Sequence, residues 1–250
     1  MHGAHENLAR GFGALIDLQP IAWCEAGLLC APWISPDQAA AALARCRFPT
    51  SPAPAPAQIP DTPARLVAGW YRRSDLHARA PAGVRELVQV AGEGFGPHDH
   101  PTTELCLRAI DRLAPGRAVD VGCGSGLLTQ AWVASARGPC HGFDADPGAV
   151  AQARGSLQLA TGMELARVTI GRIEALDNDD VADATILANL PPVAHRVLVG
   201  RVSTAPAAIV VSGTTRADAA PILAHYRALG MRTLACARAG RYLCTTLVRG

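Results

Sequence analysis

The stretch 119–126, VDVGCGSG, constrains the fold of this chain more than any other. Two β-branched valines around an acid predict a short buried strand, and three glycines spaced two apart follow it directly. Glycine permits unusual backbone angles and lets a ligand approach the main chain without meeting a Cβ atom. The stretch therefore predicts a strand that turns tightly into a helix, with a ligand held at the turn.

The sequence after this turn alternates between helix-like and strand-like segments. We predict helices at 127–136, 147–160 and 193–203, and strands at 140–145, 165–170, 183–189 and 207–212. Thr215 caps a last helix, and strands 231–237 and 241–248 form a hairpin with an antiparallel edge. The predicted fold class is α/β: a doubly wound, mostly parallel, seven-stranded, Rossmann-like sheet with a small N-terminal extension.

The first hundred residues divide by composition. Residues 1–50 are predicted to be a small N-terminal module with a helix capped at Ser35, and residues 51–60 a proline-rich linker. Residues 61–100 contain a connecting helix from Thr62 to Arg73 and then a loop rich in glycine, proline and histidine. Residues 101–250 form the main domain and open with a helix from Thr103 to Leu113. A surface loop inside one domain is the alternative interpretation of residues 51–60.

Composition and charge limit the classes of partner. The net charge of +2 comes from arginines scattered through the chain, so no direct contact with nucleic acid is expected. The N-terminus does not resemble a signal peptide, and the longest apolar run, 26–34, is too short to span a bilayer. The 8 cysteines form no Cys-x-x-Cys pair, which indicates reduced thiols and a cytoplasmic protein away from the membrane. The oligomeric state stays open.

Two further residues narrow the ligand. A dinucleotide fingerprint requires another glycine at position 127, where this chain has Leu127. Asp144 ends the next strand, where a carboxylate can accept hydrogen bonds from both ribose hydroxyls of an adenosine. Helix capping ahead of Pro147 is the competing role for an acid here, and we assign it to Asp146. The pattern predicts an adenosine site and leaves NAD and S-adenosylmethionine as alternatives.

The segment ATILANLPP, 184–192, adds a polar group at the same edge of the sheet. It is predicted to be a buried strand that ends at Asn189. The amide oxygen of Asn189 could accept a hydrogen bond from an attacking N–H and so orient the nitrogen lone pair. Pro191 and Pro192 would stiffen this edge by fixing φ and removing two N–H donors.

These segments resemble, in order, those of the PrmA-type methyltransferases, class I S-adenosylmethionine-dependent enzymes that methylate amino groups of ribosomal protein L11. The resemblance covers residues 95 to about 248 and rests on FGPHDHPTT (95–103), VDVGCGSG, GFDADPGAV (142–150), ILANLP (186–191) and IVVSGTT (209–215). It implies S-adenosylmethionine as cofactor, no metal, and a cofactor site that includes Phe95, Thr103, Asp120, Gly122, Gly124, Gly126, Asp144 and Asn189. It also makes Asn189 and His100 the candidate catalytic residues.

The chain departs from the family pattern at three places. Pro97 and His98 replace the family's Thr-Gly in the first loop, and Leu190 and Pro191 replace isoleucine and leucine after Asn189. Residues 1–90 show no match to the family's module for recognising the ribosomal protein. The base that deprotonates an amine stays open among His98, Asp99, His100 and His195.

Three functions are consistent with these features. The first is N-methylation of a protein, with a ribosomal protein as the partner. The second is N-methylation of a small-molecule amine or peptide in a biosynthetic pathway. The third is a non-catalytic partner protein that keeps the fold. A nicotinamide enzyme is a more distant alternative.

Overall fold

The computed structural model describes residues 23–25, 28–30, 65–74, 79–90 and 100–250. The chain divides into two compact units, Met1–Ile59 and Pro60–Gly250. In the first unit, strands β1 (Trp23–Glu25) and β2 (Leu28–Cys30) pair antiparallel. The helix predicted from Ser35 and the proline-rich linker lie outside the described residues, so the predicted domain boundaries stay predictions. None of the described helices is long and apolar enough to cross a membrane.

A seven-stranded sheet forms the centre of the second unit. Its strands are β6 (Ala118–Val121), β7 (Cys140–Asp144), β8 (Ala166–Ile170), β9 (Thr185–Asn189), β10 (Ala208–Thr215), β11 (Met231–Ala239) and β12 (Tyr242–Arg249). They lie in the order β11-β12-β10-β9-β6-β7-β8. The five strands from β10 to β8 are parallel, and β12 is antiparallel to both of its neighbours. This confirms the predicted α/β class and its antiparallel edge.

Helices cover both faces of this sheet. The helices are α1 (Pro101–Ile110), α2 (Leu127–Ala134), α3 (Pro147–Leu159), α4 (Asn178–Val181), α5 (Pro192–Arg201) and α6 (Arg216–Ala228), with a 3-10 turn at Ile173–Ala175. Helices α1 and α2 share a core with Leu187 and Val210, whereas α5 and α6 share one with Ile186 and Ile209. Successive strand residues thus serve opposite cores, which is why both faces are apolar. The predicted element boundaries in this domain differ from these by at most three residues, but α4 and the 3-10 turn were not predicted.

The prediction of a helix from Thr62 to Arg73 is wrong. Strands β3 (Arg65–Val67) and β4 (Trp70–Arg73) form a hairpin in which Val67 pairs with Trp70, and β5 (Glu86–Val88) adds a parallel third strand. The two turn residues, Ala68 and Gly69, have φ values of 50° and 80°. Two consecutive positive φ angles close a two-residue hairpin and cannot continue a right-handed helix.

The small sheet is bonded to the main domain through backbone groups near β5. The side-chain amide of Gln130 on α2 accepts from Val88 N–H at 3.0 Å and donates to Val88 O at 2.8 Å. Ser156 and Gln152 on α3 bond to the N–H and carbonyl of Val90 at 3.2 and 2.7 Å. Side chains here supply the bonds that a fourth strand would otherwise provide.

Candidate functional site

The glycine loop connects β6 to α2 at the point where strand order reverses. Gly122, Gly124 and Gly126 have φ values of 65°, 53° and 79°, a region that favours glycine. A Cβ on Gly126 would lie 2.9 Å from the Cβ of Ala153, so glycine here also allows α3 to pack closely. The predicted tight turn from strand to helix is present at the carboxyl edge of the sheet, where Gly122 is half-buried and Gly124 and Gly126 are buried.

Asp144 lies beside this loop at the end of β7. One of its carboxylate oxygens accepts from Gly124 N–H at 2.9 Å and the other from Asp146 N–H at 3.0 Å. The carboxylate is half-buried and fixed in position, and each oxygen keeps acceptor capacity for another donor. Asp146 caps α3 by accepting from Gly148 N–H at 2.8 Å, as predicted for the competing acid.

Asp120 lies beneath the loop and does not reach the open edge. It is 1% exposed and accepts from Thr129 Oγ1 on α2 at 2.7 Å. Burial raises the pKa of Asp120 to about 7, because a charged carboxylate loses its hydration there, although the bonds from Thr129 oppose the shift. Burial also raises the pKa of the neighbouring Cys123 thiol, which fits a space-filling residue rather than a nucleophile.

Asn189 ends β9 at the same edge. Its side-chain oxygen is buried and has no hydrogen-bond partner among the described residues. Successive side chains of β9 point to opposite faces of the sheet, and Ile186 and Ala188 belong to the core under α5 and α6. The side chain of Asn189 therefore lies on the other face, the one covered by α1. A buried acceptor without a donor costs free energy, and in native proteins such a group is satisfied by ordered water, an ion or a ligand, or has a catalytic role.

Helix α1 brings a second unpaired oxygen to this face. Thr103 is 3% exposed, and its hydroxyl has no partner within the described part of the chain. His100 caps the helix, with its Nδ1 2.7 Å from Thr102 Oγ1 and its ring centroid 4.9 Å from that of Tyr242. Phe95, His98 and Asp99 lie outside the described residues.

The glycine loop and the end of β9 are in direct contact through Leu190. A Cβ on Gly122 would lie 2.5 Å from Leu190 Cδ2, and one on Gly213 would lie 2.4 Å from Leu190 O. Strands β7, β6, β9 and β10 are successive neighbours, so Asp144, the glycines and Asn189 share one edge. A separate pocket, lined by Arg117, His141, Phe143 and Arg172 among others, contains none of the predicted site residues.

The sequence interpretation missed several residues that support this site. Thr129 donates a hydrogen bond to Asp120, and Leu190 lies against both Gly122 and Gly213. The carbonyl of Ser212 accepts from Leu190 N–H at 3.1 Å. His195, which the sequence left as a candidate base, is fully buried with its Nε2 2.8 Å from Ser212 O. Burial lowers the pKa of His195. The thiols of Cys106 and Cys244 also lie on the α1 face, where burial and the hydrogen bond between them raise the pKa of Cys106.

Known proteins are similar to this chain in sequence and in fold. The chain is 33% identical over 178 residues to the ribosomal protein L11 methyltransferase of Myxococcus xanthus, covering 69% of this chain and 60% of that protein. It is 36% identical over 131 residues to the Bacillus subtilis protein of the same name, covering 50% and 40%. The chain thus spans only about half the length of the curated relatives it matches.

A solved structure supports the fold. The crystal structure of a ribosomal protein L11 methylase from Lactobacillus delbrueckii subsp. bulgaricus superposes with a TM-score of 0.58 at 22% identity, covering 74% of this chain and 97% of that one. The sequence model described as ribosomal protein L11 methyltransferase (PrmA) matches residues 85–249. The chain belongs to the PrmA family of S-adenosylmethionine-dependent methyltransferases.

Proposed function

We propose that the protein is an S-adenosylmethionine-dependent N-methyltransferase whose acceptor is an amino group of a ribosomal protein. The observation that carries the proposal is the buried oxygen of Asn189 beside the glycine loop, which has no hydrogen-bond partner among the residues that the structure describes. A nitrogen nucleophile has an N–H that such an oxygen can accept, and the approach of an acceptor amine would satisfy it. Family membership supports the same reaction class.

The residues present fit S-adenosylmethionine. Asp144 is fixed at the loop by two backbone N–H groups and keeps acceptor capacity for the ribose hydroxyls. The glycine loop turns with positive φ at Gly122, Gly124 and Gly126, and of these three Gly122 is the one partly exposed, at the carboxyl edge where the cofactor would lie. The Thr103 hydroxyl faces the same edge and lacks a protein partner among the described residues. Asp120 contributes from beneath by bonding Thr129 and fixing where the loop enters α2.

The chemistry needed from the protein is orientation and the exclusion of water. When bound, S-adenosylmethionine supplies an electrophilic methyl group on a sulfonium. Asn189 would hold the amine so that its lone pair points along the line of attack. Pro191 and Pro192 fix the backbone two and three residues after Asn189, which limits the freedom of this segment to turn away.

A protonated amine must lose a proton before it attacks. We assign this role to His100, which is partly exposed at the start of α1, three residues before Thr103. His195 does not fit the role, because it is fully buried and its Nε2 is bonded to a carbonyl. His100 Nδ1 accepts from Thr102 N–H and lies 2.7 Å from Thr102 Oγ1, which fixes the position of the imidazole.

The choice of a ribosomal protein as acceptor follows from the relatives. The matched proteins are named ribosomal protein L11 methyltransferases, and the matched region begins at residue 85. The first 84 residues, which lie outside the matched region, are therefore candidates for recognising the acceptor. A ribosomal acceptor would agree with the cytoplasmic location expected from the sequence.

Transfer of a labelled methyl group tests the proposal. The full chain is incubated with S-[methyl-³H]adenosylmethionine and the separated proteins of the large ribosomal subunit, and label is expected in one band, that of L11. The Asn189→Ala variant serves as the catalytic control. Cofactor binding by calorimetry without label in any ribosomal protein overturns the acceptor assignment, and label in the low-mass fraction instead indicates a small-molecule amine. Absence of cofactor binding overturns the enzyme itself.

A further inference from the structure

One backbone carbonyl connects a buried histidine to the proposed methyl-transfer edge. Ser212 is the β10 residue that pairs with Asn189 in the parallel ladder. Its carbonyl accepts two hydrogen bonds, from Leu190 N–H at 3.1 Å and from His195 Nε2 at 2.8 Å. A carbonyl can only accept, so the hydrogen of the imidazole resides on Nε2.

The segment after Asn189 has few other ways to hold its position. Pro191 and Pro192 have no N–H, so neither can donate to β10. The Leu190 N–H is thus the last backbone donor before α5 that ties this segment to the sheet. The imidazole supplies from a side chain the second donor that the prolines remove.

Steric contacts make the position of Leu190 sensitive to that carbonyl. A Cβ on Gly213, the residue after Ser212, would lie 2.4 Å from Leu190 O and 2.8 Å from Leu190 N. The two strand ends therefore touch backbone to backbone, and a rotation of the peptide between Ser212 and Gly213 moves Leu190. Asn189 is the residue before Leu190, so its amide moves as well.

The environment of His195 keeps the imidazole neutral and in one tautomer. The side chain is 0% exposed, and among the described residues Nδ1 has no hydrogen-bond partner. Protonation would place an N–H on the unpaired Nδ1 in an enclosed site, which is costly. The backbone N–H of His195 takes no part in the contact between the two strand ends, because it donates to Pro191 O at 3.2 Å within the first turn of α5.

We propose that His195 is a positioning residue for methyl transfer: its Nε2–H fixes the Ser212 carbonyl and thereby the placement of Leu190 and Asn189. The inference rests on the proposed function, because the placement of Asn189 affects turnover only if Asn189 orients the acceptor amine. It assigns to His195 an indirect role and excludes contact with the cofactor or acceptor.

The test compares two substitutions at one position. His195→Gln places an amide N–H near the position of Nε2, whereas His195→Leu keeps the bulk and removes the donor. Loss of one ordinary hydrogen bond corresponds to roughly a tenfold change, so kcat is expected to fall about tenfold in His195→Leu and to recover most of that loss in His195→Gln. The dissociation constant for S-adenosylmethionine should change less than about twofold, because Asp144 and the glycine loop are held by other bonds.

His225 provides a matched control. Its Nε2 donates to the Val202 carbonyl at 2.8 Å, the same kind of bond at a place where neither residue belongs to the proposed site. His225→Leu should lower the thermal midpoint, as His195→Leu does, while leaving kcat unchanged. Equal kcat for the wild type and His195→Leu overturns the inference. So does a loss of kcat in His195→Leu that the glutamine variant does not restore, or a loss that His225→Leu matches.

A readout without activity separates this inference from the proposed function. In His195→Leu, hydrogen exchange of the Leu190 amide should accelerate about tenfold relative to the wild type, while exchange of the Gly124 amide stays the same. Unchanged exchange at Leu190 overturns the positioning role whether or not the protein methylates anything. Only the proposed function is overturned if the wild type binds cofactor but labels no acceptor, while exchange at Leu190 is still faster in His195→Leu than in the wild type.

Discussion

The two halves of the carboxyl edge differ in how their polar groups are satisfied. In the half formed by β6 and β7, Asp144 accepts two backbone N–H groups and Asp120 accepts from Thr129. In the half formed by α1 and β9, the oxygens of Thr103 and Asn189 are buried without partners among the described residues. The two carboxylates of the first half are bonded within the protein, although the buried Ser125 hydroxyl of the loop has no partner among the described residues, whereas the oxygens of the second half are ones that a ligand would satisfy. Binding and methyl transfer should therefore separate under mutation.

The largest effect is expected at the unsatisfied half. Asn189→Ala should lower kcat by about 100- to 1000-fold, the range for removing one group that orients or stabilises the reacting centre, with cofactor affinity changed only a few-fold. Single-turnover kinetics and calorimetry on the same preparation measure the two quantities. Equal losses in both would make Asn189 a cofactor ligand and remove the distinction between the halves.

In the half formed by β6 and β7 we expect a smaller effect, and one on cofactor affinity rather than on kcat. Asp144→Ala removes a charge-assisted acceptor worth roughly 1.5–3 kcal/mol, so cofactor affinity should fall about 10- to 100-fold. At saturating cofactor, kcat should stay near the wild-type value. The variant also frees the N–H groups of Gly124 and Asp146, and Asp144→Asn controls for this by keeping one acceptor oxygen. Unchanged affinity in Asp144→Ala would refute the ribose assignment.

The smallest effect is expected on the free energy of unfolding, and it arises from burial of the Asp120 carboxyl in the half formed by β6 and β7. With the folded-state pKa of Asp120 at about 7 and its ordinary value at 3.8, the folded state retains a proton that the unfolded chain releases between these values. Stability contributed by this group therefore falls as pH rises from about 4 to 7 and is constant above. Asp120→Asn keeps an acceptor for Thr129 and should gain about 1–2 kcal/mol over the wild type between pH 5 and 7.

Urea denaturation at several pH values measures the difference between Asp120→Asn and the wild type. His195, whose pKa is lowered, contributes a slope of the opposite sign below about pH 6.5 in both proteins, so it cancels in the difference. Parallel stability curves for the two proteins would contradict a raised pKa for Asp120.

The same contrast explains what could be predicted from the sequence. Strand–turn–helix alternation and glycine spacing are local patterns, so the sheet, the glycine loop, Asp144 and Asn189 were predicted. The hairpin of β3 and β4 was missed because Leu66, Val67 and Trp70 also fit helical spacing, and only the positive φ angles of Ala68 and Gly69 exclude a helix. The role of His195 depends on a backbone carbonyl 17 residues away, which leaves no trace in side-chain patterns.

The contact of Leu190 with two glycines has a consequence for how this site tolerates sequence change. Gly122 follows β6, Leu190 follows β9 and Gly213 lies within β10, yet Leu190 occupies the space that a side chain at either glycine would need. They behave as one composite position, although Gly122 and Gly213 are 91 residues apart in the sequence. A side chain added at Gly122 would meet the Leu190 side chain and require a smaller residue at 190, whereas one added at Gly213 would meet the Leu190 backbone and require that segment to shift. Functional variants at these sites should therefore arise as sets rather than singly.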